Sequence, residues 1–290
     1  VRFCVVEDQE QVDKMLEARE QCPQLSHIFY DDPRGLRNYV EDGLGSVDEL
    51  IAAGQVFMTQ HPQFFHLEVE KGSKDDVAAM FFTSGTTGTP KGVLVSHQGL
   101  LKFGRVSTES RQLTQADRSY AYLPMTHIFG LGTVLMASLY ARAALVMRSA
   151  FDPADVFNAL AEGGVTQLQG PPAMFTRLLA WLDTQGIEHP VCPDLRYVYT
   201  GAAPLDLKLK RAVEHRFSKP LHHGYGLSEY AGALCLGLLN VARDDTSAGY
   251  LVDGAELRIV NEQGRDATTE ERGEIWMRGV GLMPGYFRDV

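Results

Sequence analysis

The sequence predicts an α/β fold: doubly wound, largely parallel sheets with flanking helices, and a smaller β-rich subdomain near the C-terminus. Three observations carry this. Between about residues 118 and 223, short apolar runs alternate with stretches of helical period, and strands separated by helices pair in parallel. Gly, Pro and Asp punctuate the junctions, as in Asp152-Pro153 and Gly163-Gly164. From about Ala248 the texture changes to short β runs, 256–260 and 274–278, joined by a polar turn at 261–264. The expected boundaries are 1–247 for the α/β core and 248–290 for the β-rich part.

Taken in order, residues 3–7 read as a strand, 9–19 as a polar helix with Val12, Met15 and Leu16 on one face, and 25–30 as a second strand. This is a β-α-β unit. Residues 31–45 form a turn-rich connection, and 47–58 a helix carrying Leu50, Ile51 and Val56. His61 and His66 flank the pair Phe64 and Phe65 and read as packing or surface residues rather than ligands.

The most informative stretch is 77–97, VAAMFFTSGTTGTPKGVLVSH. Two apolar runs with the composition of buried strands, 78–82 and 92–95, clamp an unbroken run of Thr, Ser and Gly from Thr83 to Thr89. Gly85, Gly88 and Pro90 forbid helix or sheet between them. Glycine has no Cβ to hold a ligand away, so such a loop offers backbone N–H groups and hydroxyls at close range, and Lys91 adds a cation at its exit. That composition reads as a phosphate cradle; a flexible linker would not be clamped between strands. It is not the P-loop of kinases, because counting from Gly85 the second glycine position is Pro90 and Lys91 is followed by Gly92.

Beyond the cradle a helix starts near His97, and a strand at 119–123 ends in Pro124-Met125-Thr126-His127. Residues 128–140 read as a small-residue helix, and 144–147 as a strand. A helix opened by Asp152-Pro153, strand 165–169, helix 173–181, strand 195–200, helix 206–217 and strand 220–223 continue the alternation. Open α/β sheets bind ligands beyond the carboxyl ends of their strands, and residues 124–127, 201–204 and 224–229 each follow a strand directly.

Composition narrows the partners. With 290 residues, 44% hydrophobic and 22% charged, the chain has the balance of an ordinary soluble globular protein. Its net charge of −10 argues against a general nucleic-acid binder, and no apolar run has the length of a membrane span, so small-molecule partners are expected. Cys4, Cys22, Cys192 and Cys235 lack metal-ligand spacing and read as free thiols in a reducing, cytoplasmic setting. No signal-peptide pattern opens the chain, and a start at Val1 is what a fragment would show.

Several motifs together resemble those of the adenylate-forming, AMP-binding enzymes. SGTTGTPKG, Ser84 to Gly92, is similar to the family's signature loop. Gly224-Tyr225-Gly226-Leu227-Ser228-Glu229 resembles its Tyr-Gly-x-Thr-Glu motif, with Ser228 keeping the hydroxyl of the usual Thr. Gly201-Ala202-Ala203-Pro204 is similar to the small-residue turn lining the adenine and acyl pocket. Residues 273–279 and Met283-Pro284-Gly285-Tyr286 resemble a third, more structural motif.

The resemblance is greatest to the acyl-CoA synthetases and implies their N-terminal domain, incomplete at its start, with the C-terminal lid domain absent. It implies ATP-dependent activation of a fatty or aryl carboxylic acid to acyl-AMP, followed in the full-length enzyme by transfer to the co-substrate coenzyme A, with this fragment alone poorly active. Phosphate contacts would come from Thr83, Ser84, Gly85, Thr86, Thr87, Gly88 and Lys91. Nucleotide and acyl contacts would come from Gly201, Ala202, Ala203, Gly224, Tyr225, Gly226 and Ser228, with His127 beside the reacting carboxylate. Mg²⁺ takes one or two carboxylates plus phosphate oxygens, which makes Glu229 the candidate ligand. Two alternatives stay open: an amino-acid-activating adenylation domain, which usually carries an aspartate near the position of His127 that 124–130 lacks, and a non-catalytic nucleotide-binding module.

Overall fold

The computed structural model describes residues 1–83 and 90–288. Contacts group the chain into two units, Val1–Gly72 and Ser73–Val290. The loop residues Ser84, Gly85, Thr86, Thr87, Gly88 and Thr89 lie outside the described residues. No helix among the described residues is long and apolar enough to cross a membrane.

In the first unit, β1 (Phe3–Val6), α1 (Gln9–Gln21) and β2 (His27–Tyr30) form the expected β-α-β unit, with β1 and β2 parallel and β3 (Leu44–Ser46) parallel to β2. Val12, Leu25, Ile28 and Leu36 make its small core. Asp8 caps α1 by accepting the Gln11 amide, and a reciprocal Ser46–Glu49 capping box opens α2 (Val47–Gln60). A further helix, α3 (Phe64–Lys71), contains His66 and begins three residues after His61. His61 meets the Phe57 ring at 4.6 Å and His66 the Phe65 ring at 5.9 Å, so both serve surface packing.

The second unit opens with an antiparallel hairpin, β4 (Val77–Thr83) and β5 (Lys91–Ser96), whose register pairs Thr83 with Lys91. The sequence suggested two buried strands, but only one face is buried. Phe81, Val93 and Val95 are in the core, whereas Val77, Met80 and Phe82 are exposed, as the period-2 alternation of a ribbon requires. Ser96 then caps α4 (His97–Arg111) through the Gly99 amide.

The main sheet is built from β6 (Arg118–Ala121), β7 (Ala144–Met147), β8 (Gln167–Gly170), β9 (Tyr197–Thr200), β10 (Leu221–Leu227), β11 (Gly232–Leu236) and β12 (Tyr250–Leu251). Their spatial order is β12-β11-β10-β9-β8-β6-β7, parallel from β10 to β7 and antiparallel at β11 and β12. Helices α5 (Ala137–Ala141), α6 (Pro153–Ala161), α7 (Pro172–Thr184) and α8 (Leu207–Phe217) alternate with the strands. The double winding is visible within β9. Tyr197 and Tyr199 pack with Phe103 and Val106 of α4, while Val198 between them packs with Val156, Phe175 and Val213 of α6, α7 and α8. The hairpin β13 (Ala255–Val260) and β14 (Glu274–Gly279) follows, as expected.

The segment expected as one regular helix after His127 is π-helical over Phe129–Met136 and α-helical only in α5. Close contacts accompany the irregularity: a Cβ on Gly130 would overlap the Pro124 carbonyl, and one on Gly132 the Phe103 ring.

A charge pair between a buried carboxylate and a partly exposed guanidinium ties the starts of the parallel strands. Asp117, just before β6, receives Arg196 Nε and Nη2 at 2.6 Å each, the Thr166 hydroxyl at 2.8 Å and the Thr114 amide at 2.7 Å. Burial by itself would raise the Asp117 carboxyl, but the Arg196 guanidinium and these donors outweigh it and hold it below the usual carboxylate range. A depressed carboxyl contributes stability that is present above its unfolded-state value and lost as pH falls through its folded-state value. Asp117→Asn is therefore expected to cost about 1–2 kcal/mol at neutral pH, read as a lower urea midpoint, because it removes a charged acceptor while the partly exposed Arg196 keeps water and the Arg111 and Gln112 carbonyls. The same variant should flatten the stability loss that the wild type shows below about pH 4.

Candidate active site

β10 organises the site. Its first half pairs in parallel with β9, Leu221↔Val198 to His223↔Thr200, and its second half pairs antiparallel with β11, Gly224↔Leu236 to Leu227↔Gly232. Residues 224–227 were expected as a loop after a strand; they continue the strand, and only Ser228–Tyr230 forms a 3₁₀ turn. The glycines explain the continuation. A Cβ on Gly224 would overlap the Tyr199 hydroxyl, and one on Gly226 the Gly232 carbonyl, so a strand with side chains there could not lie this close to its neighbours.

Two chambers share this strand as a wall. One, of about 50 Å³, is lined by Phe103, Phe129, Thr133 and Tyr199 with His127 and the backbone of 224–226. Phe103 closes it, since its ring fills the space where Gly132 and Gly232 lack side chains, and Phe129 meets Tyr199 edge-on at 5.9 Å. The other, of about 300 Å³, is lined by Ala202, Ala203, Pro204, His223 and Ala248 with Tyr225. Ala202, Gly224, Tyr225 and Gly226 border both. Ala202 sits at φ +65° in the turn after β9, a left-handed position that strains alanine. His223 braces the same turn, with Nε2 3.3 Å from the Ala203 carbonyl and Nδ1 3.0 Å from that of Thr246. His222 is buried and stacked on Tyr197 at 4.6 Å, and burial pushes it down to about 4, so it stays neutral and structural.

His127 lies at the rim of the smaller chamber. Its Nδ1 accepts the Phe129 amide at 3.1 Å, which leaves Nε2 as the protonated nitrogen of the neutral ring, a donor suited to a carboxylate oxygen.

A second group assembles around Tyr286, which the sequence placed in a merely structural motif. Its hydroxyl donates to Glu229 Oε1 at 3.0 Å, and Lys91 Nζ lies 4.8 Å from its ring centre. Backbone pairing with β5 sets it there: Tyr286 bridges Val93, the Phe287 amide donates to the Gly92 carbonyl at 2.7 Å and the Leu94 amide to Gly285 at 3.2 Å. Lys91, Tyr286 and Glu229 thus form one cluster, with Thr83 across the hairpin from Lys91. The only signal for Tyr286 in the sequence was a phenol next to Gly285 in a recognised motif. Lys102 has no motif to mark it in the sequence either; it is buried, donates to the Ala233 carbonyl at 2.8 Å, lies 4.1 Å from the Tyr230 ring centre, and is pulled down to about 7 by burial.

The family model described as "AMP-binding enzyme" matches residues 1–287. The chain belongs to the AMP-binding enzyme family. It is 34% identical over 226 residues to 4-coumarate--CoA ligase 1 of Solanum tuberosum, a match covering 74% of this chain and 41% of that protein. Its fold is that of the ATP-bound MatB from Rhodopseudomonas palustris, with TM-score 0.77 and 22% identity over 99% of this chain and 52% of the other. It is also that of the anthranilate CoA ligase AuaEII in complex with anthranoyl-AMP, with TM-score 0.78 and 19% identity over 100% and 52%. The chain spans about half the length of these relatives or less.

Glu229 also fits a magnesium ligand. One oxygen is oriented by Tyr286 while Oε2 has no hydrogen-bond partner among the described residues, and a single carboxylate completed by phosphate oxygens is an ordinary Mg²⁺ donor set. Tyr286→Phe removes the orienting bond and keeps the ring beside Lys91. A hydrogen bond to a charged group is worth roughly 1.5–3 kcal/mol, so calorimetry is expected to show Mg·ATP binding weakened about tenfold or more with the melting midpoint little changed.

Proposed function

We propose that this chain carries the adenylation site of a carboxylate–CoA ligase and activates an aryl acid. The observation that carries the reading is the shared border: Gly224, Tyr225 and Gly226 of β10 line both an aromatic chamber and a larger chamber that the 201–204 turn also lines. An acyl-adenylate has that division, an acyl group and an adenine on either side of a mixed anhydride. The flat walls of Phe129 and Tyr199 and the stop at Phe103 suit a ring better than a long alkyl chain, which favours aryl over fatty acids.

In this reading Nε2–H of His127 donates to the acid's carboxylate and turns it toward the α-phosphorus. Lys91 and Thr83, with Ser84, Gly85, Thr86, Thr87 and Gly88 of the adjoining loop, hold the phosphates. Tyr225 covers the adenine, Gly201, Ala202 and Ala203 line its edge, and Ser228 donates to an α-phosphate oxygen. Glu229, oriented by Tyr286, holds Mg²⁺, which when bound neutralises charge on the phosphates. The carboxylate displaces pyrophosphate from ATP, and the thiolate of coenzyme A then displaces AMP from the acyl-adenylate. The chain's own contribution is positioning and fixed charge. The amino-acid-activating alternative is disfavoured by the lining of the two chambers, which among the described residues holds no Asp or Glu to meet a substrate ammonium.

The test is ATP–pyrophosphate exchange by the 290-residue chain with benzoate, cinnamate-type acids, palmitate and amino acids. Exchange is expected with the aryl acids and not with amino acids; the reverse, or Mg·ATP binding with no exchange for any acid, would refute the proposal. Glu229→Gln should lower exchange by about 10²–10³. Phe103→Ala, which removes the end wall, should move preference toward longer acids while costing about 3 kcal/mol of stability. An unchanged acid profile in that variant would remove Phe103 as the stop.

A further inference from the structure

Away from the cleft, Glu188, His189 and His215 bring a carboxylate oxygen and two imidazole nitrogens within 4.8 Å of one another, all on exposed side chains. No other such group of three His, Cys, Asp or Glu occurs among the described residues. We propose that this trio binds a borderline divalent transition metal, Zn²⁺ above all, and clamps the end of α7 to the end of α8.

The backbone holds the ligands in place before any ion arrives. α7 ends at a left-handed cap, Gly186 at φ +67°, with the Gly186 amide on the Asp183 carbonyl at 3.1 Å and the Ile187 amide on the Leu182 carbonyl at 3.0 Å. Ile187 then packs on the core and Pro190 is buried, so Glu188 and His189 occupy a two-residue span anchored at both ends. Arg216, the neighbour of His215 in the last turn of α8, donates to the Ile187 carbonyl at 2.6 Å and pairs with Asp183. The segment bearing two ligands is thereby tied to the helix bearing the third, and the Asp183 carboxylate offsets the nearest positive charge.

The chemistry of the set selects the ion. His189 Nδ1 lies 3.4 Å from the Arg216 carbonyl; donating there, the ring presents its Nε2 lone pair, and a backbone carbonyl on the non-ligating nitrogen is a common second partner of a metal-bound histidine. The His215 ring stands 5.2 Å away at 70°. Two imidazoles and one carboxylate, with water in the fourth position, suit Zn²⁺ at about 2.0–2.1 Å from each nitrogen, whereas Mg²⁺ and Ca²⁺ seek all-oxygen sets. The site is therefore distinct from any Mg²⁺ that accompanies ATP at Glu229.

The test is calorimetric titration of Zn²⁺ into the untagged chain beside His215→Ala, His189→Ala and Glu188→Gln, with Co²⁺ as a visible probe. Expected are one equivalent per chain with micromolar-range affinity, at least tenfold weaker in either histidine variant and untouched by millimolar Mg²⁺. Co²⁺ should give d–d bands without thiolate charge transfer. The circular dichroism of His215→Ala, altered only at an exposed side chain, separates loss of a ligand from loss of fold, and His189→Ala repeats the test on the other element. No stoichiometric zinc, affinity unchanged in both histidine variants, or thiolate bands that move the ion to the cysteines would overturn the assignment.

Discussion

The closeness of β10 to its neighbours at Gly224 and Gly226 is the constraint on which the rest of the site depends. The strand must be parallel to β9 at one end and antiparallel to β11 at the other, and at the start of the antiparallel pairing Gly224 and Gly226 pass against the Tyr199 hydroxyl and the Gly232 carbonyl with no room for a side chain at either position. What that closeness leaves is a strand whose two glycines carry no side chain around Tyr225 and whose residues 224–226 border both chambers. The turn that follows, 228–230, then carries Glu229 to Tyr286. A larger residue at 224 or 226 would separate β10 from its neighbours and deform both chambers at once.

Much of this was legible in the chain. The strand–helix alternation from 118 to 223, the cap at Asp152 and the C-terminal hairpin follow from local chemistry, because side-chain period and cap residues act over a few positions. The extent of β10 was not legible, because glycines read as loop unless the neighbours that exclude side chains are known. The π-helical stretch at Phe129–Met136 was hidden for the same reason: its glycines answer to Phe103 and Pro124, which are close in space and not along its own pattern. Tyr286 is a third case. Its role depends on pairing between 285–287 and β5, nearly two hundred residues earlier, and no local signal encodes that.

Charge placement divides the unit by task. At the starts of the strands a buried Asp117 is paired with a partly exposed Arg196, where a satisfied pair supports the sheet away from the chambers. His222 and Lys102 are buried near the site and pulled toward their neutral forms, to about 4 and about 7. Glu229 and Lys91 remain partly exposed and both meet Tyr286, as the proposed nucleotide contacts require. The sheet is thus tied together at the strand starts, while the charges proposed to meet the ligand sit on a turn and a hairpin end.

A crystal structure of the chain with an aryl-sulfamoyl-adenosine, a stable mimic of an aryl-adenylate, examines the shared border most directly. The expected result places the aryl ring against Phe129 and Tyr199, the adenine beside Tyr225 and Ala202, and the linking group across the backbone of Gly226, with β10 unmoved. Both rings in the same chamber, or an aryl group lodged outside the chamber that Phe103 closes, would contradict it.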